Sequence, residues 1–247
     1  MSDIHANPEA LKSALDDAGR EGAESVICLG DVVGYGPEPV EAVSLCRSSC
    51  DVVLMGNHDA AVAGRIGTGN FIPFAQEGVR RHRAELPDED RAWLNGLRYQ
   101  YAARSFMCVH GTLDEPERFF YMSEPAPIVS SLEKMAAGRR RLLFVGHTHH
   151  ACVIVCSRER RIRAFDPAGK LVLEPGSRYI VNVGSVGYPR VDHDITYVLY
   201  DTSAKTVSFR RLPFDHAAYA RRLEERGVGL PLWLADCIRP GSKDGGR

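Results

Sequence analysis

An α/β fold is predicted for this chain by three observations. Short apolar runs alternate with helix-patterned stretches as far as residue 150, strand follows strand after it, and no linker or internal repeat divides the sequence. At 247 residues, 44% of them hydrophobic, the chain is long enough to bury a sizeable core as one domain, read as residues 1–238 with a polar, Gly-containing tail at 239–247.

The first helix is marked by its ends: Asn7 is a cap, Pro8 suits the first turn, and Leu11, Ala14, Leu15 and Ala18 share a face before Gly19. Four strands follow, each a continuous apolar run of the kind buried on both faces of a sheet: VICL at 26–29, VVLM at 52–55, FMCV at 106–109 and LLFV at 142–145. Each runs into metal-capable residues, namely Gly30-Asp31, Gly56-Asn57-His58-Asp59, His110-Gly111 and Gly146-His147-Thr148-His149. Helices predicted over 37–48, 73–85, 88–95 and 125–137 separate these strands. They imply parallel pairing, which gathers the strands' C-terminal ends at one edge. Beyond 150, strands are predicted at 151–157, 161–166, 170–173, 178–183, 195–201 and 205–212, broken by turns such as DPAG and DTSAK. This pattern predicts a second, largely antiparallel sheet packed on the first, followed by a helix over 215–226.

A formal charge of -1 supplies no field to recruit a nucleic acid or an anionic membrane, and the small Arg clusters at 80–81 and 139–141 read as solvated faces. Seven cysteines include no C-x-x-C pair, and Cys28, Cys108, Cys152 and Cys156 lie in apolar runs as small hydrophobes, which favours a reducing, cytoplasmic setting. No apolar stretch reaches the length of a membrane span, and the first residues lack the hydrophobic region of a signal peptide.

The metal-capable residues at the strand ends, with the opening D-x-H, are Asp3, His5, Asp31, Asn57, His110, His147 and His149. Seven ligands are too many for one tetrahedral ion but suit two five- or six-coordinate ions sharing a carboxylate, for which Asp31 is the natural bridge. Two such ions about 3.5–4 Å apart bind one water between them and clamp a phosphoryl group for in-line attack. Each motif alone is weak, since a GD is usually a turn and a His-Gly usually a satisfied strand end. GNHD is the most specific, and the weight lies in the series occurring in order, each member after an apolar run.

The series DIH, GDVVG, GNHD, VHG and GHTH resembles the calcineurin-like metallophosphoesterase superfamily, in particular its compact bacterial phosphodiesterase-like branch, with GDVVGYGPEP and VGSVGYPR as further marks. The resemblance runs from Asp3 to about residue 238. It implies a four-layer αββα sandwich of two mixed β-sheets flanked by helices, a binuclear centre filled by Mn first, with Fe, Zn or Ni as alternatives, and hydrolysis of phosphodiester or phosphomonoester bonds by a hydroxide bridging the metals. Matched motif by motif, Asp3, His5, Asp31 and His149 would hold one metal, and Asp31, Asn57, His110 and His147 the other. His58 would protonate the leaving group, with Asp59 orienting its ring. The Gly184–Gly187 loop would offer backbone N–H groups near the metals, Ser185 and Arg190 would face the phosphate, and Tyr35 would rim the cleft. His82, His150, His193 and His216 match no ligand position and read as surface or supporting groups. The expected partner is a small phosphorylated substrate, a nucleotide among the candidates, with no membrane and no stable nucleic-acid partner; the oligomeric state is not legible. A non-catalytic scaffold on the same fold and a protein phosphatase are the alternatives.

In that family an apolar strand leads into D-x-H, whereas only Met1 and Ser2 precede it here. The first strand therefore reads as truncated, with Met1 its last residue and the coding start upstream. Asp3 and His5 are then expected on a frayed end, as poorly preorganised ligands beside unpaired strand edges.

Overall fold

The computed structural model describes residues 1–238; the polar tail expected at 239–247 lies outside the described residues. Asn7 caps the first helix as its sequence demands, its side-chain oxygen accepting from the Ala10 N–H at 3.3 Å, and α1 (Pro8–Arg20) buries Ala10, Leu11, Ala14 and Ala18. The next elements are β1 (Ile27–Cys28), α2 (Pro39–Ser49), β2 (Val52–Val53), α3 (Asn57–Val62), α4 (Pro73–Glu85), α5 (Asp88–Asn95), β3 (Gln100–Ala102) and β4 (Met107–Val109). A 3₁₀ turn at Pro116–Arg118 leads to α6 (Pro125–Ala137), β5 (Leu142–Val145), β6 (Cys152–Cys156), β7 (Ile162–Phe165), β8 (Lys170–Val172) and β9 (Arg178–Asn182). The chain closes with β10 (Ile195–Asp201), β11 (Thr206–Leu212), α7 (His216–Glu225) and α8 (Leu232–Ile238).

The strands form a six-stranded sheet in the order β3-β4-β5-β9-β6-β7, a three-stranded sheet β10-β11-β8, and the parallel pair β1-β2. This corrects the expected division at residue 150. β9 pairs in parallel with β5, and β6 pairs antiparallel with β9, so three of the later strands extend the sheet that holds β4 and β5. Alternation identifies a strand, but its neighbour is decided by which apolar faces meet, and β9 is buried from Tyr179 to Asn182. One core cluster joins Leu29 and Leu54 to Cys108, Phe144, Val153 and Val181, and these to Val207, with Val198, Tyr200 and Phe209 against them. A second packs α1, α2 and α7 on Val32, Ile195 and Tyr197, and a third sets Leu132 and Met135 of α6 against Leu143, Val145 and Ile180. Among the described residues no disulfide joins the cysteines, of which Cys28 and Cys108 are buried and Cys152 and Cys156 half-buried. No helix among the described residues is long and apolar enough to cross a membrane.

The expected frayed start is not what the structure holds. Met1 to Ala6 are buried, and their backbone is bonded on both sides. Leu29 N–H donates to the Met1 carbonyl at 2.9 Å, Asp3 N–H to Gly30 at 3.0 Å and His5 N–H to Asp31 at 2.8 Å, while Val186 and Gly187 donate to the carbonyls of Ser2 and Asp3 at 3.0 and 2.9 Å. The pair Asp3 and His5 is thus clamped between the β1 end and the loop before β10. Beside Met1 lies a cavity of about 500 Å³ between β1 and β10, lined by Ile27, Phe106, Cys108, Phe144 and Val198.

A partly buried ion pair ties α1 to the three-stranded sheet. Asp17 accepts from Tyr197 Oη at 2.6 Å and from Arg210 Nε and Nη2 at 3.0 and 3.1 Å, and the Arg210 bonds chiefly hold its carboxyl below the usual range. Asp17→Asn is expected to cost about 1.5–3 kcal/mol at neutral pH, the range for hydrogen bonds to a charged group. Because the folded pKa is depressed, this stability is present above the unfolded value of about 3.9 and fades as pH falls through the folded one. Urea denaturation should accordingly show a gap between wild type and variant that is wide at neutral pH and narrows progressively as the pH falls below about 3.9. A gap independent of pH would contradict the assignment.

Candidate metal centre

The site lies where the C-terminal ends of β1, β2, β4 and β5 meet the segment Asp3–His5. The approach is so close that two glycines are obligatory. A side chain on Gly56 would meet Asp31 Oδ1 at 2.1 Å, and one on Gly146 would meet Asp3 Oδ2 at 2.6 Å, so the glycines of GNHD and GHTH are the backs of the two aspartates' seats. Asp3, His5, Asp31, Tyr35, His147 and His149 all have positive φ, between 46° and 67°. Non-glycine residues in the left-handed region cost free energy, and their concentration here marks a place where the surrounding fold imposes conformation for function.

The histidines are held by their far nitrogens. His5, His110 and His149 set Nδ1 against the carbonyls of Val33, Leu29 and Tyr188 at 3.0, 3.1 and 2.6 Å, and the His147 ring is bonded to the Phe119 backbone. A neutral imidazole that donates from Nδ1 presents a lone pair at Nε2. Two such lone pairs, on His5 and His149, face each other at 3.1 Å, an arrangement that repels unless a cation lies among them. Asp3 Oδ1, Asn57 Oδ1, His110 Nε2 and His147 Nε2 are likewise buried with no hydrogen-bond partner. Unpartnered acceptors of this number are what a site for divalent cations presents.

The ligand atoms form groups whose members lie within 4.8 Å of one another: Asp3, His5 and His149; Asp31, His110 and His147; and, between them, His5, Asp31 and His58. Asp31 Oδ2 is 3.3 Å from His110 Nε2 and 3.6 Å from His5 Nε2, so one carboxylate faces both sides, while its Oδ1 accepts from the His58 N–H at 2.9 Å. Burial acts to raise the Asp31 carboxyl, but His110, His58 and His5 outweigh it and hold it well below the usual range. For His110, the Asp31 charge overcomes burial and raises the imidazole to about 9, so its Nε2 would carry a proton that metal binding would have to displace. Burial lifts Asp3 to about 6 and takes His147 down to about 3.

Several expected roles change. Asp59 does not bond the His58 ring: its two oxygens accept from the N–H groups of Val33 at 3.1 Å and Gly56 at 3.0 Å, so it fixes the turn that carries Asn57 and His58. Ser185 is buried, its hydroxyl donating to the Asp3 carbonyl and accepting from Tyr188 N–H, both at 3.1 Å, which leaves none of it for a phosphate. The N–H groups of the Gly184–Gly187 loop are spent on Asn182, Thr196, Ser2 and Asp3. Of the two readings expected for His82, surface or supporting, the buried ring takes the second. It accepts from Gly34 N–H and bonds the Gly36 carbonyl, each at 2.9 Å, pinning the loop under Tyr35, and burial takes its pKa to about 3.

Tyr35 and Arg190 stand where a rim is needed. Arg190 Nη2 donates to Tyr35 Oη at 3.0 Å, and its guanidinium lies 5.3 and 5.4 Å from the centroids of Tyr35 and Tyr188, which stack at 4.3 Å. Tyr121, 52% exposed, stacks on His147 at 4.1 Å, and Phe71 lies 4.9 Å from the His58 ring. Sequence reasoning missed both, since neither follows a strand or sits in a motif.

A buried histidine cluster that shares a carboxylate at the strand ends of an α/β fold is consistent with a site for divalent metals. The chain belongs to the calcineurin-like phosphoesterase superfamily, whose domain it matches over residues 1–205. It is similar to the crystal structure of a metallophosphoesterase from Sphaerobacter thermophilus, with a TM-score of 0.77 and 32% identity over 95% of this chain and 94% of that one. The crystal structure of hypothetical protein PH1004 from Pyrococcus horikoshii shares the fold, with a TM-score of 0.73 and 19% identity over 98% and 96% of the two chains. The uncharacterized protein MJ0912 of Methanocaldococcus jannaschii is 29% identical over 242 residues, 96% of this chain and 94% of the relative.

Proposed function

We propose that the protein is a hydrolase of small phosphodiesters and phosphomonoesters, built on layered αββα sheets around a binuclear centre. The observation that carries this is the convergence of inward lone pairs from Asp3, Asn57, His110 and His147, none with a hydrogen-bond partner, around a carboxylate shared by two clusters. Asp3, His5, Asp31 and His149 would hold one cation, and Asp31, Asn57, His110 and His147 the other. When bound, the two cations supply positive charge against the phosphoryl oxygens and acidify water. The protein's own groups do the rest. Arg190, stacked on Tyr35 and Tyr188, meets a non-bridging phosphate oxygen, and His58 delivers a proton to the leaving oxygen. Tyr121 and Phe71 flank the opening with flat apolar faces, which favours an organic ester carrying an aromatic or base group, such as a nucleotide.

Chelated protein given Mn, Ni, Zn or Mg is expected to regain hydrolysis of 4-nitrophenyl phosphate and of bis(4-nitrophenyl) phosphate, with the diester faster and Mn restoring most. Cleavage of neither ester with any of the four metals would instead assign the chain to a binding scaffold.

A further inference from the structure

Three chain segments that share no motif bring a second set of metal-capable atoms together, on the far side of Tyr188 from the buried centre. His193 lies in the loop before β10 in a left-handed conformation, φ 58°, His216 is the first residue of α7, and Cys237 lies on α8. Their ligand atoms lie within 4.8 Å of one another, with Cys237 Sγ 3.3 Å from His193 Nδ1. A sulfur at about 2.3 Å and a nitrogen at about 2.0–2.1 Å from one tetrahedral ion stand about 3.5 Å apart, so this spacing is that of two ligands on a common cation.

A separate observation concerns His216. Burial lowers its pKa, its ring is bonded to the His193 backbone, and its Nε2 is buried with no hydrogen-bond partner. This is the arrangement in which a carbonyl fixes the tautomer and leaves the other nitrogen's lone pair for a metal. A thiolate with two imidazoles selects zinc-like borderline cations over Mg or Ca.

We propose that His193, His216 and Cys237 form a metal site for one zinc-class cation, separate from the buried centre and anchoring α8 to the loop that carries Arg190. Its reach follows from Trp233, one helical turn before Cys237. Trp233 meets Tyr188 edge-on at 5.1 Å, and Tyr188 in turn stacks on Tyr35 and accepts from the ring of His149. Filling the site braces the wall of the substrate opening.

The centre at the strand ends contains no sulfur, which makes the two sites separable by spectroscopy. Metal-stripped full-length protein titrated with Co²⁺ is expected to develop a near-ultraviolet thiolate-to-cobalt charge-transfer band. That band should vanish in Cys237→Ser and in His193→Ala, the latter at an exposed position where folding is least at risk, while the visible bands of cobalt bound by nitrogen and oxygen persist. Bound metal should fall by about one equivalent per chain in either variant. Absence of the near-ultraviolet band in wild type, or its survival in Cys237→Ser, overturns the proposal. Loss of the visible bands alone would count against the buried centre and leave this site standing.

Discussion

Asp31→Asn is expected to remove at least one of the two cations and to lower phosphoester hydrolysis on the order of 10³-fold or more, the largest loss from any single substitution in the chain. The reason lies in what each oxygen already does. Oδ1 is bound to the His58 N–H at 2.9 Å, while Oδ2 stands between His110 at 3.3 Å and His5 at 3.6 Å. An amide keeps only one acceptor. If its oxygen stays on the His58 N–H, its NH₂ points at the metal positions, and a donor there repels a cation outright. If it flips, the His58 N–H loses its acceptor and the turn at Gly56 loosens. Both outcomes also remove the negative charge that raises His110 to about 9. Elemental analysis of the purified variant beside wild type checks the metal loss, and ester hydrolysis checks the rate. Retention of two cations with an undiminished rate would show that Asp31 is not the shared ligand.

Asp31, Asn57, His110, His147 and His149 were readable because each closely follows an apolar run, unlike Asp3 and His5, which have only Met1 and Ser2 before them. A buried strand cannot end in His or Asp at several places in one chain without some common reason for the polar residue, and Asp3, Asp31, His110, His147 and His149 do meet at one place. The strands were legible on the same ground, but their partners were not. β9 and β5 have similar apolar runs, and nothing local tells that they pair in parallel across the division drawn at residue 150. α3 escaped because its six residues begin inside GNHD, where the polar residues that serve chemistry hide the helical pattern. The same concealment explains Asp59. Proximity in sequence suggested a bond to His58, whereas a carboxylate two residues beyond the start of a helix finds the N–H groups of Gly56 and Val33 nearer. The Met1–Ala6 segment read as loose because no strand precedes it, and it is held by backbone bonds from residues 29–32 and 186–187, distances in sequence over which no pattern speaks. His193, His216 and Cys237 were unreadable for the same reason, having neither regular spacing nor a strand end in common.

His58→Ala is expected to lower kcat by about 10²–10⁴-fold for esters with a poor leaving group, the usual worth of a positioned general acid, and by much less for 4-nitrophenyl esters. The contrast follows from chemistry. An alkoxide must be protonated as it departs, whereas 4-nitrophenolate leaves as the anion and has little use for a proton donor. The ring is well placed to donate. Its backbone is fixed through Asp31, its faces lie against Tyr35 at 4.6 Å and Phe71 at 4.9 Å, and Nδ1 is buried without a partner. Gly34 makes room for it, since a side chain there would meet Nδ1 at 2.2 Å. Burial lowers the imidazole to about 4, with Asp31 opposing and Arg190 adding to the fall. A bound phosphate ester brings negative charge to the ring and offsets Arg190, so the protonated form gains when substrate is present. The acid role therefore predicts a kcat loss that grows with leaving-group basicity at unchanged metal content. The alternative is also physical, because His58 lies within 4.8 Å of ligand atoms on His5 and Asp31. A variant that loses metal, or one slowed equally on every ester, would make His58 a ligand or a packing group and leave the proton to come from water.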